Sequence, residues 1–493
     1  LKLPQIRVVE GRIDSPGSEW RRWRTWADFY EVLHMNKMVI NAAAAVVLGL
    51  GFAAGTARAC GGNDGSRCEV QPPPAAATAA APSTRPAAKP LSDQVKKGLK
   101  WLVQTQLENG AWGQGEESAQ MGTGDSKLKV LPNVADTCMA VMAFVRSGNT
   151  PADGEYKLNV NRAVGFLCAQ VEESDNKSLF ITTLRGTRTQ GKLGQYIDTF
   201  LAAQVLAEVK NQMPDESGNK RVNDALGKVI KKIEANQKED GRWVNDGWAP
   251  TLAQAACAKA LNTASVNGAK VNEQVLERAE RYAQADFAVS QKAGAGAVAT
   301  SGVDSSGAGV GGAVLSGRAG ALAGEPRGDA GVALYSSSAQ LATIQASAKS
   351  NEAKRDYYQK IADASTTQPE ARKAAIAQLD RFKENEAILG KAQDAIVARL
   401  DDKQFVAGFG SNGGEEFLSH LNIGESLFHK GGADWEKWDK SMSSNLNNIQ
   451  NADGSWSGHH CITGRTFCTA AALNVLTIDR SPIPAVAKVD LKK

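Results

Sequence analysis

The residues of this 493-residue chain that could do chemistry are seven cysteines, one short basic run and a few acids on alanine-rich stretches. Cys60 and Cys68 could pair across a short loop, or Cys60 could carry a lipid. Cys461 and Cys468, seven positions apart, could form a second disulfide, typically worth about 2–4 kcal/mol. Arg185, Arg188 and Lys192 precede an alanine-rich stretch. They could bind a diphosphate at a helix N-terminus, or form a solvated basic loop. Asp136, Asp198 and Glu425 are the acids to test for paired-carboxylate chemistry on a polysaccharide. Asp136-Thr137 and Asp198-Thr199 also read as helix N-caps. His420 either faces a cavity or packs.

The elements that must position these residues are organised by a repeat. KKGLKWLVQTQLENGAWG, VIKKIEANQKEDGRW and MSSNLNNIQNADGSW share the spacing Gln-x3-Gly-x-Trp. The residues are Gln106, Gly110 and Trp112, then Gln237, Gly241 and Trp243, then Gln450, Gly454 and Trp456. An amphipathic helix running into such a segment is expected to end at the Gly in a left-handed cap. The Trp is expected to fold back over the helix end, with the Gln amide satisfying orphan carbonyls or the indole N–H. Small-residue helices are expected at 134–145, 196–209, 249–261, 331–345, 414–428 and 465–478. Each has Thr or Ser near its start (Thr137, Thr199, Thr251, Ser336, Ser419, Thr469). Charged amphipathic helices are expected at 91–107, 159–172, 220–237, 271–286, 376–400 and 434–450. Polar-faced helices belong outside and alanine-rich ones inside. Six such pairs predict an all-α fold, a single (α/α)6 toroid over 91–480. It is interrupted by a Gly-rich loop at 293–333 and a charged helical excursion at 350–375, and followed by a tail, 481–493.

The first copy resembles the QW motif of the terpenoid-cyclase and protein-prenyltransferase superfamily. Lys97-Gly98, Trp101-Leu102, Gln106, Gly110 and Trp112 carry that resemblance; the later copies keep Gln-Gly-Trp but have Lys232 and Asn445 in place of the aromatic. The resemblance implies a toroid acting on an isoprenoid or other apolar ligand in its central cavity. The acids of the cyclases are absent: there is no D-x-D-D and no D-C-T-A-E. Asp401-Asp402 lies at the end of an outer helix. The G-C-G-E-Q of related thioester domains is also missing. Aromatics on the inner stretches are sparse (Phe144, Phe200, Tyr335, Phe467), which disfavours carbocation cyclisation. The prenyltransferases hold zinc on an Asp, a Cys two residues later and a His elsewhere. By resemblance Asp136 and Cys138 with His459 or His460 would form that site, open at one position. The expected function is a prenyltransferase- or cyclase-like enzyme; the alternative is a non-catalytic binding or scaffold protein on the same fold.

The N-terminal region reads as an address. Translation is expected to start at Met35, leaving 1–34 as an upstream extension. Lys37, the apolar run 39–54 and Ala57-Arg58-Ala59 then form a signal peptide over 35–59. The alternative is an uncleaved N-terminal membrane anchor. Residues 60–90 form a Pro/Ala-rich tether. The protein is therefore expected in a bacterial periplasm or cell envelope, tethered through Cys60 or the anchor. With 57 basic and 53 acidic side chains the chain gives no electrostatic case for nucleic acid. Composition also excludes a multi-span membrane protein and a disordered tail protein.

Overall fold

A computed structural model describes residues 88–118, 126–243, 246–299, 329, 331–410 and 412–481, with the backbone alone for 293–299. All belong to one compact unit, Ala79–Lys493. The segments 1–34 and 35–59, Cys60, Cys68, most of the tether, most of the Gly-rich insert and residues 482–493 lie outside the described residues.

Among the described residues the protein is all-helical, with no strand. In chain order the helices are α1 (Asp93–Thr105), α2 (Val134–Arg146), α3 (Lys157–Glu173), α4 (Arg188–Leu193), α5 (Ile197–Glu208), α6 (Glu216–Ala235) and α7 (Pro250–Val266). They continue with α8 (Glu273–Ala299), α9 (Ala333–Asp363), α10 (Pro369–Val397), α11 (Lys403–Val406), α12 (Gly414–Lys430), α13 (Gly432–Asn448) and α14 (Arg465–Leu476). No described helix is long and apolar enough to cross a membrane.

Burial sorts the long helices into two kinds. Every residue of α2 and of α5 is buried. Such a helix needs neighbours on all sides, and its Ala residues let backbones approach closely. In contrast, α1 buries only Val95, Gly98, Leu99, Trp101 and Leu102, one stripe at helical spacing. The small-residue helices touch in cyclic order: α2 with α5, α5 with α7, α7 with α9, α9 with α12, α12 with α14, and α14 with α2. An amphipathic helix packs against each of them.

The three Gln-Gly-Trp segments make the same contacts. Gly110, Gly241 and Gly454 hold φ of 87°, 90° and 93°. A β-carbon on any of them would lie within 2.8 Å of a carbonyl oxygen of Arg162, Arg278 or Lys97, each on the next amphipathic helix round the circle. Each indole N–H donates, at 2.8 Å, to the carbonyl ten residues earlier: Trp112 to Leu102, Trp243 to Ile233, Trp456 to Leu446. The indole, rather than the Gln amide, satisfies the orphan carbonyl of the helix end. The Gln amide instead joins elements. Gln106 donates to the carbonyls of Gly110 and Asn159, Gln237 to those of Gly241 and Val275, and Gln450 to those of Gly454 and Gln94. Removing each indole from water is worth on the order of 4–6 kcal/mol gross.

Two boundaries differ from expectation. The charged stretch after residue 345 is no separate excursion, because α9 runs unbroken to Asp363. Its first breaker is the turn leading to Pro369, which occupies the first turn of α10. The basic stretch before α5 contains the short helix α4, opened by a capping box of Thr187 and Gln190.

Candidate functional site

The starts of α2, α5 and α12 gather four buried acids: Asp136, Asp198, Glu415 and Glu416. Asn133, not Asp136, caps α2. Asp198 does not cap its own helix either. Its Oδ1 accepts from the Ala135 amide at the start of α2, 3.0 Å away, and its Oδ2 from Gln190 Nε2 at 2.8 Å. Glu415 repeats this cross-helix arrangement by accepting from the Ile462 amide ahead of α14. The hydroxyls of Thr137 and Thr469 accept the backbone N–H of Trp112 and Trp456. These acids and hydroxyls tie each helix start to its neighbour.

Asp136 faces the Phe467 amide at the start of α14 in the same way, but no hydrogen bond of ordinary geometry reaches either of its carboxyl oxygens. Burial, and then the nearby Asp198, raise its pKa to about 8. Glu415 is raised to about 7 by burial and by Glu416. Burial acts on Glu416 as well. There it is outweighed by hydrogen bonds from His460, the Tyr335 hydroxyl and the Phe409 amide, which hold it below its ordinary value. Each of the four acids is at most 2 % exposed, so the cluster presents no surface to a polysaccharide.

The zinc ligands implied by the resemblance do not fit. Asp136 and Cys138 are two apart on α2, where side chains do not face each other. His460 Nε2 lies 3.3 Å from Glu416 Oε1, and His459 is exposed. Among the described residues no group of three His, Cys, Asp or Glu could hold a metal ion. The basic run does not converge. Arg185 lies over the Phe180 ring, Arg188 Nε donates to Glu117 Oε2 at 3.1 Å, and Lys192 lies over Trp248. Cys461 and Cys468 are both free and buried, as are Cys138, Cys168 and Cys257. Cys468 Sγ donates to the Ile462 carbonyl. His420 packs, with Nε2 3.1 Å from the Val406 carbonyl.

The opposite ends of the same helices enclose a cavity of about 770 Å³. Its wall is mixed polar and apolar, with Gln345, Gln393, Asn262 and Thr263 beside Leu389 and Phe428. At its floor Glu425 of α12 pairs with Arg146 of α2 at 2.7 Å and with Lys259 of α7 at 2.6 Å. Lys259 Nζ also donates to Asn422 Oδ1. Gln204 and Glu208 of α5 complete the floor, joined at 2.6 Å. Burial alone would raise the Glu425 carboxyl; Lys259 and Arg146 outweigh it and hold it well below the carboxylate range. For Glu208 the balance is reversed: burial pushes its carboxyl up, and Arg146, Gln204 and Lys259 offset this only in part. Arg146, Gln204, Lys259 and Asn422 also border a second, smaller cavity of about 40 Å³. Its other walls are Met139, Met142, Leu201, Leu252, Leu418 and Leu421 with Ala256. A polar chamber, a charged collar and a short apolar chamber therefore adjoin.

Of the acids singled out from sequence, Glu425 is the one at this cavity. Arg146 and Lys259 were missed, although each is a lone cation in a small-residue helix (VADTCMAVMAFVR and PTLAQAACAKALNTASV). A charge that a largely buried, small-residue helix retains is a signal that it has a partner inside. No protein-family model, curated protein or solved structure matches this chain.

Proposed function

We propose that the chain is an exported (α/α)6 toroid that binds a small polar molecule in its central cavity, and that it acts as a binding or scaffold protein. The cyclic order of helix contacts and the resemblance of the Gln-Gly-Trp segments support the toroid. The observation that carries the function is the 770 Å³ chamber with a charged floor. Pockets of that size take small ligands, and a few placed polar groups fix their orientation. The isoprenoid-transferase reading draws less support. A long hydrocarbon chain would have to lie against Gln, Asn and charged side chains, because the apolar chamber of about 40 Å³ has room for only a few waters' volume. The sequence-derived signal and tether supply the export.

The test is native mass spectrometry of the full chain purified from the envelope, beside an Ala342→Trp variant that fills the chamber. A small-molecule adduct on the wild type, lost in the variant, supports the reading. Adduct-free protein together with turnover of a prenyl diphosphate would overturn it.

A further inference from the structure

We infer that the collar between the two chambers recognises the carboxylate of a small α-hydroxy or α-amino acid bearing a short apolar side chain. This rests on the cavity-binding reading and names the ligand class. Three observations converge on it.

The first is an uncompensated guanidinium. The Arg146 side chain is 4 % exposed, yet only Nη2 has a partner, Glu425, while Nε and Nη1 have none. Buried donors of a charged group are strongly disfavoured when unmatched, and Arg donors suit a carboxylate. The collar also carries two cations, Arg146 and Lys259, against the single ion-paired acid Glu425. Glu208, the remaining acid, makes no ion pair among the described residues and accepts from Gln204 at one oxygen only.

The second is a pair of acceptors left over in the same place. Gln204 Oε1 and Glu208 Oε2 are buried without hydrogen-bond partners. A hydroxyl or ammonium group next to the bound carboxylate supplies the donor they lack. A ligand with only a carboxylate would leave them unmatched, and one with only a hydroxyl would leave Arg146 unmatched.

The third is the short apolar chamber beyond the collar, walled by Met, Leu and Ala side chains. It admits a small aliphatic group and excludes a long one. A head group held at Arg146 therefore places a short side chain among Met139, Met142 and Leu201, with the wide polar chamber as the route of entry.

Calorimetric titration of the full chain with four probes tests this: leucine, 2-hydroxy-4-methylpentanoate, 4-methylpentanoate and 4-methylpentanamide. The first two are expected to bind about tenfold to a hundredfold more tightly than the amide, the range for losing a charge-assisted contact. 4-Methylpentanoate is expected to fall between them. Arg146→Met is expected to erase the preference for acid over amide. Met142→Trp, which leaves the charged groups in place, is expected to lose leucine while keeping glycolate. Equal binding of acid and amide by the wild type would overturn the inference without any variant having to fold. If that equal binding disappears in Ala342→Trp, the cavity-binding reading survives while the carboxylate assignment falls. If none of the four probes binds, the carboxylate assignment falls as well. The cavity reading is then decided by the adduct on the envelope-purified protein.

Discussion

Replacing Asp136 by Asn should change how stability depends on pH. Asp136 is fully buried at the start of α2, with the Phe467 amide as its one weak compensating contact, and its pKa is raised from 3.8 to about 8. Between these values the native state keeps a proton that the unfolded chain releases, so native stability falls as pH rises through that window. Each pH unit costs about 1.4 kcal/mol, so the deficit is on the order of 4 kcal/mol at pH 7 and levels off above pH 8. Asn has nearly the same shape and no titration. The stability difference between Asp136→Asn and wild type should therefore grow from about 1–2 kcal/mol at pH 5 to about 5 kcal/mol at pH 8. Guanidinium unfolding at several pH values measures it, and any fixed effect of the Asn amide cancels between pH values. A difference that is the same at pH 5 and pH 8 would refute the claim that this carboxyl is buried and proton-bearing.

Four further outcomes follow from the packing. Glu425→Gln should destabilise by about 3–5 kcal/mol, read in the same unfolding assay, because it strands Arg146 and Lys259 beside an uncharged partner. Trp456→Ala should cost about 3–5 kcal/mol. Gly454→Ala should also be destabilising, by about 2 kcal/mol or more, because its φ of 93° and the Lys97 carbonyl leave no room for a β-carbon; thermal melts of both variants check this. Iodoacetamide at pH 8 should spare Cys461, whose thiol burial pushes up to about 12, along with the buried Cys138 and Cys468. After denaturation without reductant, peptide mass mapping should find Cys138, Cys168, Cys257, Cys461 and Cys468 all alkylated.

The all-helical class and most helix positions were legible because alternation of alanine-rich and amphipathic stretches is a local property of sequence. The expected helix at 134–145 corresponds to Val134–Arg146, and that at 196–209 to Ile197–Glu208. The join at residue 346 was misjudged because composition changes there, from Ala/Ser-rich to charged, while the backbone meets no breaker until residues 364–369. The roles of the acids were less legible. Asp198 looks like a cap on its own helix, and only the neighbouring helix reveals that it caps Ala135, 63 residues earlier. The site was hidden for the same reason. Glu425, Arg146 and Lys259 lie on three different helices, and no spacing along the chain encodes their 2.6–2.7 Å contacts. What sequence did contain was the oddity of single cations in buried helices.

The contact between the last Gln-Gly-Trp segment and the first helix has a topological consequence. Gln450 binds the Gln94 carbonyl, Gly454 lies on Lys97, and the two ends of the helical region meet where Asp479 accepts the Lys89 amide and the Arg480 guanidinium donates to the Lys89 carbonyl. The seam between the two ends is therefore built like the joints inside the chain. Joining the ends with a short linker and reopening the chain at another loop, for example between Asn211 and Asp215, should yield a circularly permuted protein that folds. It also means that a ribosome must deliver residue 476 before α1 and α14 can meet, so the closing step of folding waits until every other helix has been made.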